Sequence, residues 1–187
     1  MKKLILFLLY FFSISCATYV DYYQPLADKG EVRRAYDQYG MWDTILFEPY
    51  EKISISLRCA LVEPGACIEL YLDIPEGVTV RFENNLFSIR DLLSEKVIEK
   101  QIFLARYHND KGEKIEKDIL NILNGGSEVY GKYRRYYIDV ELPEFRNIKF
   151  ESFILSCPAI EINGQQYKIP KVTFNKRSGW EVIHLAP

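Results

Sequence analysis

The feature that most constrains the fold of this chain is a strict alternation of apolar and polar residues, which is clearest at residues 53–61. Apolar side chains occupy every second position there, which is the period of a β-strand with one buried and one solvated face. The same period recurs at 68–74 and 136–142. Such segments must bury one face against another layer, so the alternation predicts a mainly β protein.

Turn signals separate these segments at short intervals. Pro75-Glu76-Gly77 is one turn, and Asn163-Gly164 is the strongest hairpin signal, because both of its residues tolerate the positive φ of a two-residue turn. About ten short strands with such turns are typical of an antiparallel sandwich or barrel. We predict an antiparallel immunoglobulin-like β-sandwich with one short helix. The Cys-Trp-Cys framework of antibody domains is missing, since neither Trp lies between Cys59 and Cys157.

One stretch departs from the β period. Within residues 113–124, apolar side chains fall at helical spacing, at Ile115, Ile119, Ile122 and Leu123. Asp110 upstream and Gly125-Gly126 downstream are suitable start and stop residues. We therefore predict that the single helix of the chain lies at 113–124.

The N-terminus has the residue order of an export signal. Lys2 and Lys3 follow the initiator Met, residues 4–12 are apolar, and the short segment 13–15 leads into Cys16. This order is typical of a secretory signal peptide. The apolar run is too short to remain as a membrane span, which takes about 20 residues. We predict that residues 1–15 are the signal peptide and that the mature chain is exported.

Ser13-Ile14-Ser15-Cys16 resembles the lipobox of bacterial lipoproteins, in which a small residue precedes a Cys that becomes the lipid-modified N-terminus. The resemblance implies that signal peptidase II cleaves before Cys16, and that Cys16 carries a diacylglyceryl thioether and an amide-linked, palmitate-type acyl chain. Because Ala17 is not Asp, it also implies the outer membrane, facing the periplasm or the cell surface. The alternative is cleavage after Ala17, which fits the small-x-small rule and would release a soluble protein.

The first part of the mature chain differs from the rest. Residues 16–43 are rich in Tyr and charge and show no sustained apolar period. A free linker would instead be Gly/Ser-rich or highly charged. We therefore predict a lipidated N-terminus and Tyr-rich tether at 16–43, lying against a β-sandwich domain at 44–187.

The remaining cysteines, Cys59, Cys67 and Cys157, allow one disulfide and one leftover thiol. An exported chain usually oxidises the thiols that it can pair. Cys59 and Cys67 flank a turn signal at Glu63-Pro64-Gly65, which favours a local bond, although alternation places Cys59 inward and Cys67 outward. A bond from Cys59 to Cys157 between two sheets is the competing interpretation. The third interpretation is that all three cysteines are buried free thiols.

Residues for catalysis are scarce. The two histidines, His108 and His184, stand in neither H-x-x-x-H nor C-x-x-C spacing for a metal. No G-x-S-x-G motif and no glycine-rich phosphate loop occurs. Carboxylate pairs of the type that glycosidases use are available at Asp73 with Glu76 and at Asp139 with Glu141, but acids arise on strands by chance. We predict a non-enzymatic protein without metal or cofactor.

The pattern most typical of a binding surface is the run of residues 133–137. On a strand, Tyr133, Arg135 and Tyr137 share one face, and two aromatic planes with an Arg between them can stack on sugar rings or grip an acidic polymer. Cross-strand packing beneath a neighbour is the alternative. The 24 basic and 26 acidic residues nearly balance, so nothing indicates nucleic acid as a partner.

Together these patterns predict a membrane-anchored cell-envelope lipoprotein whose β-sandwich binds an envelope protein or glycan without turnover. A structural or assembly subunit of an outer-membrane complex is the alternative function. A hydrolase of envelope polymers is the third, and the shortage of His argues against it.

Overall fold

A computed structural model describes residues 16–37, 40–62, 65–127, 133–146 and 150–183. These residues form a mainly β protein, as predicted, with sixteen strands and a short 3-10 helix at Pro143–Arg146. In chain order the strands are β1 Cys16–Leu26, β2 Glu31–Asp37, β3 Gly40–Phe47, β4 Ser54–Val62, β5 Gly65–Pro75, β6 Thr79–Phe82, β7 Leu86–Asp91, β8 Val97–Gln101, β9 Leu104–His108, β10 Lys114–Asp118, β11 Leu123–Asn124, β12 Tyr133–Leu142, β13 Ser152–Ser156, β14 Ile160–Ile162, β15 Gln165–Tyr167 and β16 Val172–Ile183. The predicted signal peptide at 1–15 and His184 lie outside the described residues.

The strands form three antiparallel sheets. The largest has the order β10-β9-β12-β5-β4-β3-β2, the second β1-β16-β13-β7-β8 and the smallest β11-β6-β14-β15. The alternation that predicted the strands decides which face is buried: along β12, Tyr136, Ile138, Val140 and Leu142 lie in the core and the residues between them do not. Buried side chains from all three sheets join one hydrophobic cluster.

The hairpin predicted at Asn163-Gly164 is confirmed and joins β14 to β15. The two residues have φ of 48° and 83°, which is the left-handed backbone that a two-residue hairpin turn requires. Asn163 Oδ1 also accepts a hydrogen bond from the backbone N–H of Thr79 at 2.9 Å. The turn therefore fixes both the hairpin and its position against β6.

The helix predicted at 113–124 is wrong. β10 occupies Lys114–Asp118 and pairs with β9, and the chain then turns into β11. The Oδ1 atom of Asn109 accepts hydrogen bonds from the backbone N–H groups of Lys111 and Glu113, which closes the turn before β10. A side-chain oxygen that satisfies backbone donors in this way competes with helix formation.

The apolar spacing that resembled a helix has another cause. Ile119 and Leu123 are both fully buried, but Leu123 belongs to β11 in the smallest sheet, whereas Ile119 follows the end of β10. Asp118 Oδ1 accepts a hydrogen bond from the backbone N–H of Leu120 at 2.9 Å and turns the chain between them. The described part of the chain contains no helix long and apolar enough to cross a membrane.

Within residues 16–43, the predicted tether, the described positions form β1, β2 and the first part of β3. β1 pairs with β16 along its whole length, from Cys16 opposite Ile183 to Leu26 opposite Thr173. Tyr23 is buried, its ring packs edge-on against Phe153 at 5.2 Å, and its hydroxyl donates to the backbone oxygen of Phe150 at 2.7 Å. Tyr23 thus makes the core contact in β1 that an aliphatic residue makes in other strands. For this reason the sequence shows no apolar period in this segment.

Candidate binding surface

The strand β12 places Tyr133, Arg135 and Tyr137, the stripe predicted to be a binding surface, on the outer face of the seven-stranded sheet. Tyr133 is 36% exposed, and Arg135 and Tyr137 are half-buried, whereas Tyr136 between them is 1% exposed. The three residues therefore share a face, as predicted, and that face is not covered by the core. Their surroundings come from neighbouring strands, which the sequence pattern alone did not identify.

Aromatic rings and guanidinium groups alternate across this face. Arg58 on β4 lies over the rings of Trp42 at 5.1 Å and Tyr71 at 5.4 Å, and Arg135 lies over the rings of Tyr71 at 5.9 Å and Tyr133 at 5.4 Å. All four distances are within the reach of a cation–π interaction. We call these five residues, from Trp42 to Tyr133, the aromatic–arginine ladder.

Register explains how strands that are distant in sequence build the ladder. β5 is the central strand: its Tyr71 is paired with Tyr137 of β12 on one side and with Ser56 of β4 on the other. The rings of Tyr71 and Tyr137 meet edge to face at 5.3 Å, and His108 of β9 lies edge-on to Tyr137 at 6.1 Å. Such aromatic pairs contribute about 0.5–1.5 kcal/mol beyond the area that they bury.

Each of three arginines on this face has a carboxylate partner. Arg135 donates from Nε and Nη2 to the two carboxylate oxygens of Asp73, at 2.7 and 2.8 Å. Arg58 forms an ion pair with Glu69 through its Nε, and Arg106 of β9 forms one with Asp139 through its Nη2. The hydrogen bond to Asp73 raises the pKa of Arg135 above its ordinary value.

These pairs decide two properties of the face. Each arginine charge is balanced by its partner carboxylate, so the three pairs offer guanidinium and carboxylate groups without a net charge of their own. The rings are also held in place, because Tyr71 donates its hydroxyl hydrogen bond to Glu69, the partner of Arg58. Burial, and then that hydrogen bond, raise the pKa of Tyr71, so its hydroxyl stays a neutral donor.

A cleft of about 360 Å³ adjoins the ladder on the β9 side. The apolar side chains in its lining are Ile102, Phe103 and Leu104, and the charged ones are Arg106, Glu116, Asp139 and Glu141. Phe103 and Leu104 are 54% and 46% exposed. The cleft therefore combines accessible apolar surface with an excess of carboxylates.

The disulfide predicted between Cys59 and Cys67 is absent from the structure, in which Cys59, Cys67 and Cys157 are free thiols. Cys59 is paired with Ile68 and Cys67 with Ala60, so the two thiols sit one residue out of register and on opposite faces of the sheet. This register continues along both strands to Val62 opposite Gly65, so the alternation is not broken there in the way that a bond would require. Burial raises the pKa of Cys67 to about 11 and that of Cys157 to about 12.

Of the other sequence candidates, Asp139 and Glu141 both line the cleft. His108 is exposed, Asp73 binds Arg135, and Asp139 binds Arg106. Within the described ranges, no group of three or more His, Cys, Asp or Glu side chains could hold a metal ion. Cys16, the predicted lipidation site, is the first residue of β1.

Sequence reasoning missed Trp42, Arg58 and Tyr71. The alternation did place Tyr71 on the outward face of β5, but pairing it with Arg58 and Arg135 needed the register of three strands. No protein-family model, curated protein or solved structure matches this chain.

Proposed function

We propose that this chain is a membrane-anchored lipoprotein of the bacterial cell envelope. Its β domain binds an envelope partner without turnover. The lipobox-like segment at 13–16 supports the anchor, and Ala17 supports the outer membrane. Recognition is the role that the outer sheet face fits best, since its exposed groups are aromatic rings, guanidinium groups and carboxylates.

The aromatic–arginine ladder is the observation that carries the binding proposal. A neutral glycan fits it better than an acidic polymer, because Arg58 and Arg135 already hold carboxylate partners and offer no uncompensated charge. Sugar rings present apolar C–H faces that stack on aromatic planes, and their hydroxyls can bond to both guanidinium and carboxylate groups. A ladder fixed before binding also costs little ordering entropy.

For the architecture, we propose an immunoglobulin-like sandwich in which the seven- and five-stranded sheets face each other. The shared core supports it: inward residues of the larger sheet, such as Leu57 and Ile138, belong to the same cluster as Phe153 and Phe174 of the smaller one. In this arrangement the ladder is the outer surface of one layer.

An assembly subunit of an outer-membrane complex is the second candidate function, and the cleft favours it. Exposed Phe103 and Leu104 beside Glu116 and Glu141 have the apolar centre and polar rim of a protein interface. Pull-down from solubilised membranes separates the two functions. A stoichiometric protein partner that is lost with Phe103→Ser, but kept with Tyr133→Ala, would favour the assembly subunit.

The anchor is tested by metabolic labelling with a palmitate analogue. The wild-type protein should be labelled and should fractionate with membranes, and Cys16→Ser should lose both properties. A mature N-terminus at Thr18 would instead show cleavage after Ala17 and would refute the anchor.

The glycan proposal is tested by calorimetric titration with neutral envelope polysaccharides. Tyr133→Ala and Tyr71→Ala should each weaken binding by about 1–3 kcal/mol, if stacking on nucleic-acid bases is a fair guide. Tyr50→Ala is the matched control: Tyr50 is also half-buried and pairs edge-on with Tyr167 at 6.2 Å, but it lies outside the ladder. Equal losses for all three variants would refute the ladder as the site.

A further inference from the structure

The cleft beside β9 lies where the chain crosses from one sheet to another. β8 is the edge strand of the five-stranded sheet, β9 belongs to the seven-stranded sheet, and only Ile102 and Phe103 separate them. The backbone N–H of Ile102 donates to the backbone oxygen of Asn85 at 2.9 Å. The backbone oxygen of Phe103 accepts a hydrogen bond from the N–H of Ile119 at 3.0 Å. Both residues of the crossing are therefore held in place, and this wall of the cleft is formed before a partner binds.

The opposite wall of the cleft belongs to β12. β9 and β12 pair at Tyr137 opposite Arg106 and at no other position among the described residues. Asp139 and Glu141 follow Tyr137 in steps of two residues, and Leu104 precedes Arg106 by two, so these side chains share the outer face of the sheet. The cleft is thus a gap in the same face that carries the aromatic–arginine ladder.

Exposed apolar side chains surround the crossing. Phe103 and Leu104 line the cleft itself. Leu86, which is also exposed, is paired with Gln101, a further lining residue. The exposed Leu120 directly follows the residue that is hydrogen-bonded to Phe103. Single exposed apolar residues are ordinary, but several around one polar-rimmed cleft are typical of an interaction surface.

The charges of the cleft are mainly negative. Its charged lining residues are one guanidinium, Arg106, and three carboxylates, Glu116, Asp139 and Glu141. Arg106 is already paired with Asp139, and Glu116 is paired with Lys114 at 2.9 Å, where both side chains are about half exposed. Glu141 is exposed and, within the described part of the chain, forms neither an ion pair nor a hydrogen bond. The cleft can therefore accept a cation without breaking an existing pair.

We propose that the cleft receives a basic, apolar segment of a partner protein. A Lys or Arg side chain of that segment enters the cleft, lays its aliphatic stem on Phe103 and Leu104, and brings its charge to Glu141. Apolar residues on either side of this cation cover Leu86 and Leu120, which a small amine would leave exposed. The carboxylates would repel an anionic lipid surface. The inference rests on the second proposed function, in which the cleft is a protein interface, and it adds the chemistry of the partner.

Fluorescence anisotropy of a labelled peptide, Leu-Lys-Leu-Arg-Leu, titrated with the full chain tests the proposal. This peptide should bind about tenfold more tightly than Leu-Glu-Leu-Glu-Leu, because like charges oppose each other in the second complex. Binding should weaken as the salt concentration is raised. Spermine, which carries positive charge without apolar side chains, should compete poorly. Equal binding of the two peptides would overturn the proposal, and strong competition by spermine would replace the protein segment by a small polyamine.

Variants of Glu141 locate the binding in the cleft. Glu141→Gln should weaken binding of the basic peptide by about two- to fivefold, as expected for an exposed ion pair. Glu141→Lys should weaken it further and improve binding of the acidic peptide. Glu161→Gln is the matched control, because it removes a partly exposed carboxylate from the smallest sheet, outside the cleft. Equal losses for Glu141→Gln and Glu161→Gln would overturn the proposal.

Pull-down from solubilised membranes separates the failure of this inference from the failure of the second proposed function. If a stoichiometric protein partner is lost with Phe103→Ser but kept with Glu141→Lys, the cleft remains an interface and only the basic chemistry of the partner is refuted. If the partner is kept with both variants, the cleft is not its interface, and both proposals are refuted.

Discussion

The two faces of β12 use the same residue type in opposite ways. Tyr136 is 1% exposed, packs against Tyr107 at 5.1 Å and donates its hydroxyl to the backbone oxygen of Asn124 at 3.0 Å. Tyr137, the next residue, is half-buried and faces the ring of Tyr71 on the outer side of the sheet. The pleat alone separates them, because successive side chains point to opposite faces.

The two residues have the same side chain, so position on the pleat, and not residue type, decides which tyrosine stabilises the core and which one stays accessible on the outer face. The inner face contributes stability through burial, which is costly to alter. The outer face is organised by ion pairs and ring contacts that remain partly in solvent, where each contributes little to folding. Substitutions on the inner face should therefore lower the free energy of unfolding more than substitutions on the outer face.

The largest effect is expected for Tyr136→Ala. Truncating a buried aromatic side chain leaves a cavity and should lower the free energy of unfolding by about 3–5 kcal/mol. Tyr136→Phe keeps the ring and removes only the hydrogen bond to Asn124, which should cost about 1 kcal/mol. Urea denaturation measures both, and a small loss for Tyr136→Ala would contradict the burial of the inner face.

Asp73→Ala should have the next largest effect. The side chain of Asp73 is 10% exposed, and the substitution removes both hydrogen-bond acceptors of Arg135. The free energy of unfolding should fall by about 1–3 kcal/mol. The control is Glu161→Ala, which breaks an ion pair with Arg81 whose side chains are 50% and 38% exposed. That loss should stay below about 1 kcal/mol. Equal losses would show that the outer face is no better organised than ordinary surface.

Tyr137→Ala should have a smaller effect than the same substitution at the neighbouring Tyr136. The loss should be about 1 kcal/mol, because the ring contact with Tyr71 disappears but no enclosed cavity forms. Thermal unfolding next to Tyr136→Ala provides the measurement. A loss as large as that of Tyr136→Ala would make Tyr137 part of the core and would remove it from the binding surface.

The last effect concerns Cys67, which changes nothing near neutral pH and acts only at high pH. Burial raises its pKa from 9.0 to about 11, so between these values the folded thiol keeps a proton that the unfolded thiol has lost. Stability therefore falls as the pH rises from about 9 to 11. Cys67→Ala should make this fall less steep when unfolding is followed in reducing buffer. If the free energy of unfolding fell equally steeply with pH in the two proteins, the pKa of the Cys67 thiol would not be raised.

Local patterns predicted the local part of this structure well. Alternation identified the core face of β4, β5 and β12, and Asn163-Gly164 identified its hairpin, because both signals depend on neighbouring residues alone. The same locality explains the error at 113–124. Ile115, Ile119 and Leu123 have helical spacing in sequence, but they pack in separate places once Asn109 and Asp118 turn the chain.

The sequence did not predict which distant strands pair with one another. The union of β1 with β16 joins residues at the two ends of the described chain, and nothing local in 16–26 indicated it. For the candidate site, the stripe on β12 was found because Tyr133, Arg135 and Tyr137 lie on one strand. The rest of the ladder depends on strand register, which a single sequence does not determine.

The pairing of β1 with β16 also determines how an anchored molecule would carry tension. A pull between a lipid on Cys16 and a ligand held on the outer sheet face would act along the axis of β1. Interstrand hydrogen bonds in an antiparallel pair are perpendicular to the strands, so this force shears them together instead of opening them one after another. The load is spread from Cys16–Ile183 to Leu26–Thr173, and the attachment would be mechanically strong although β1 is only an edge strand.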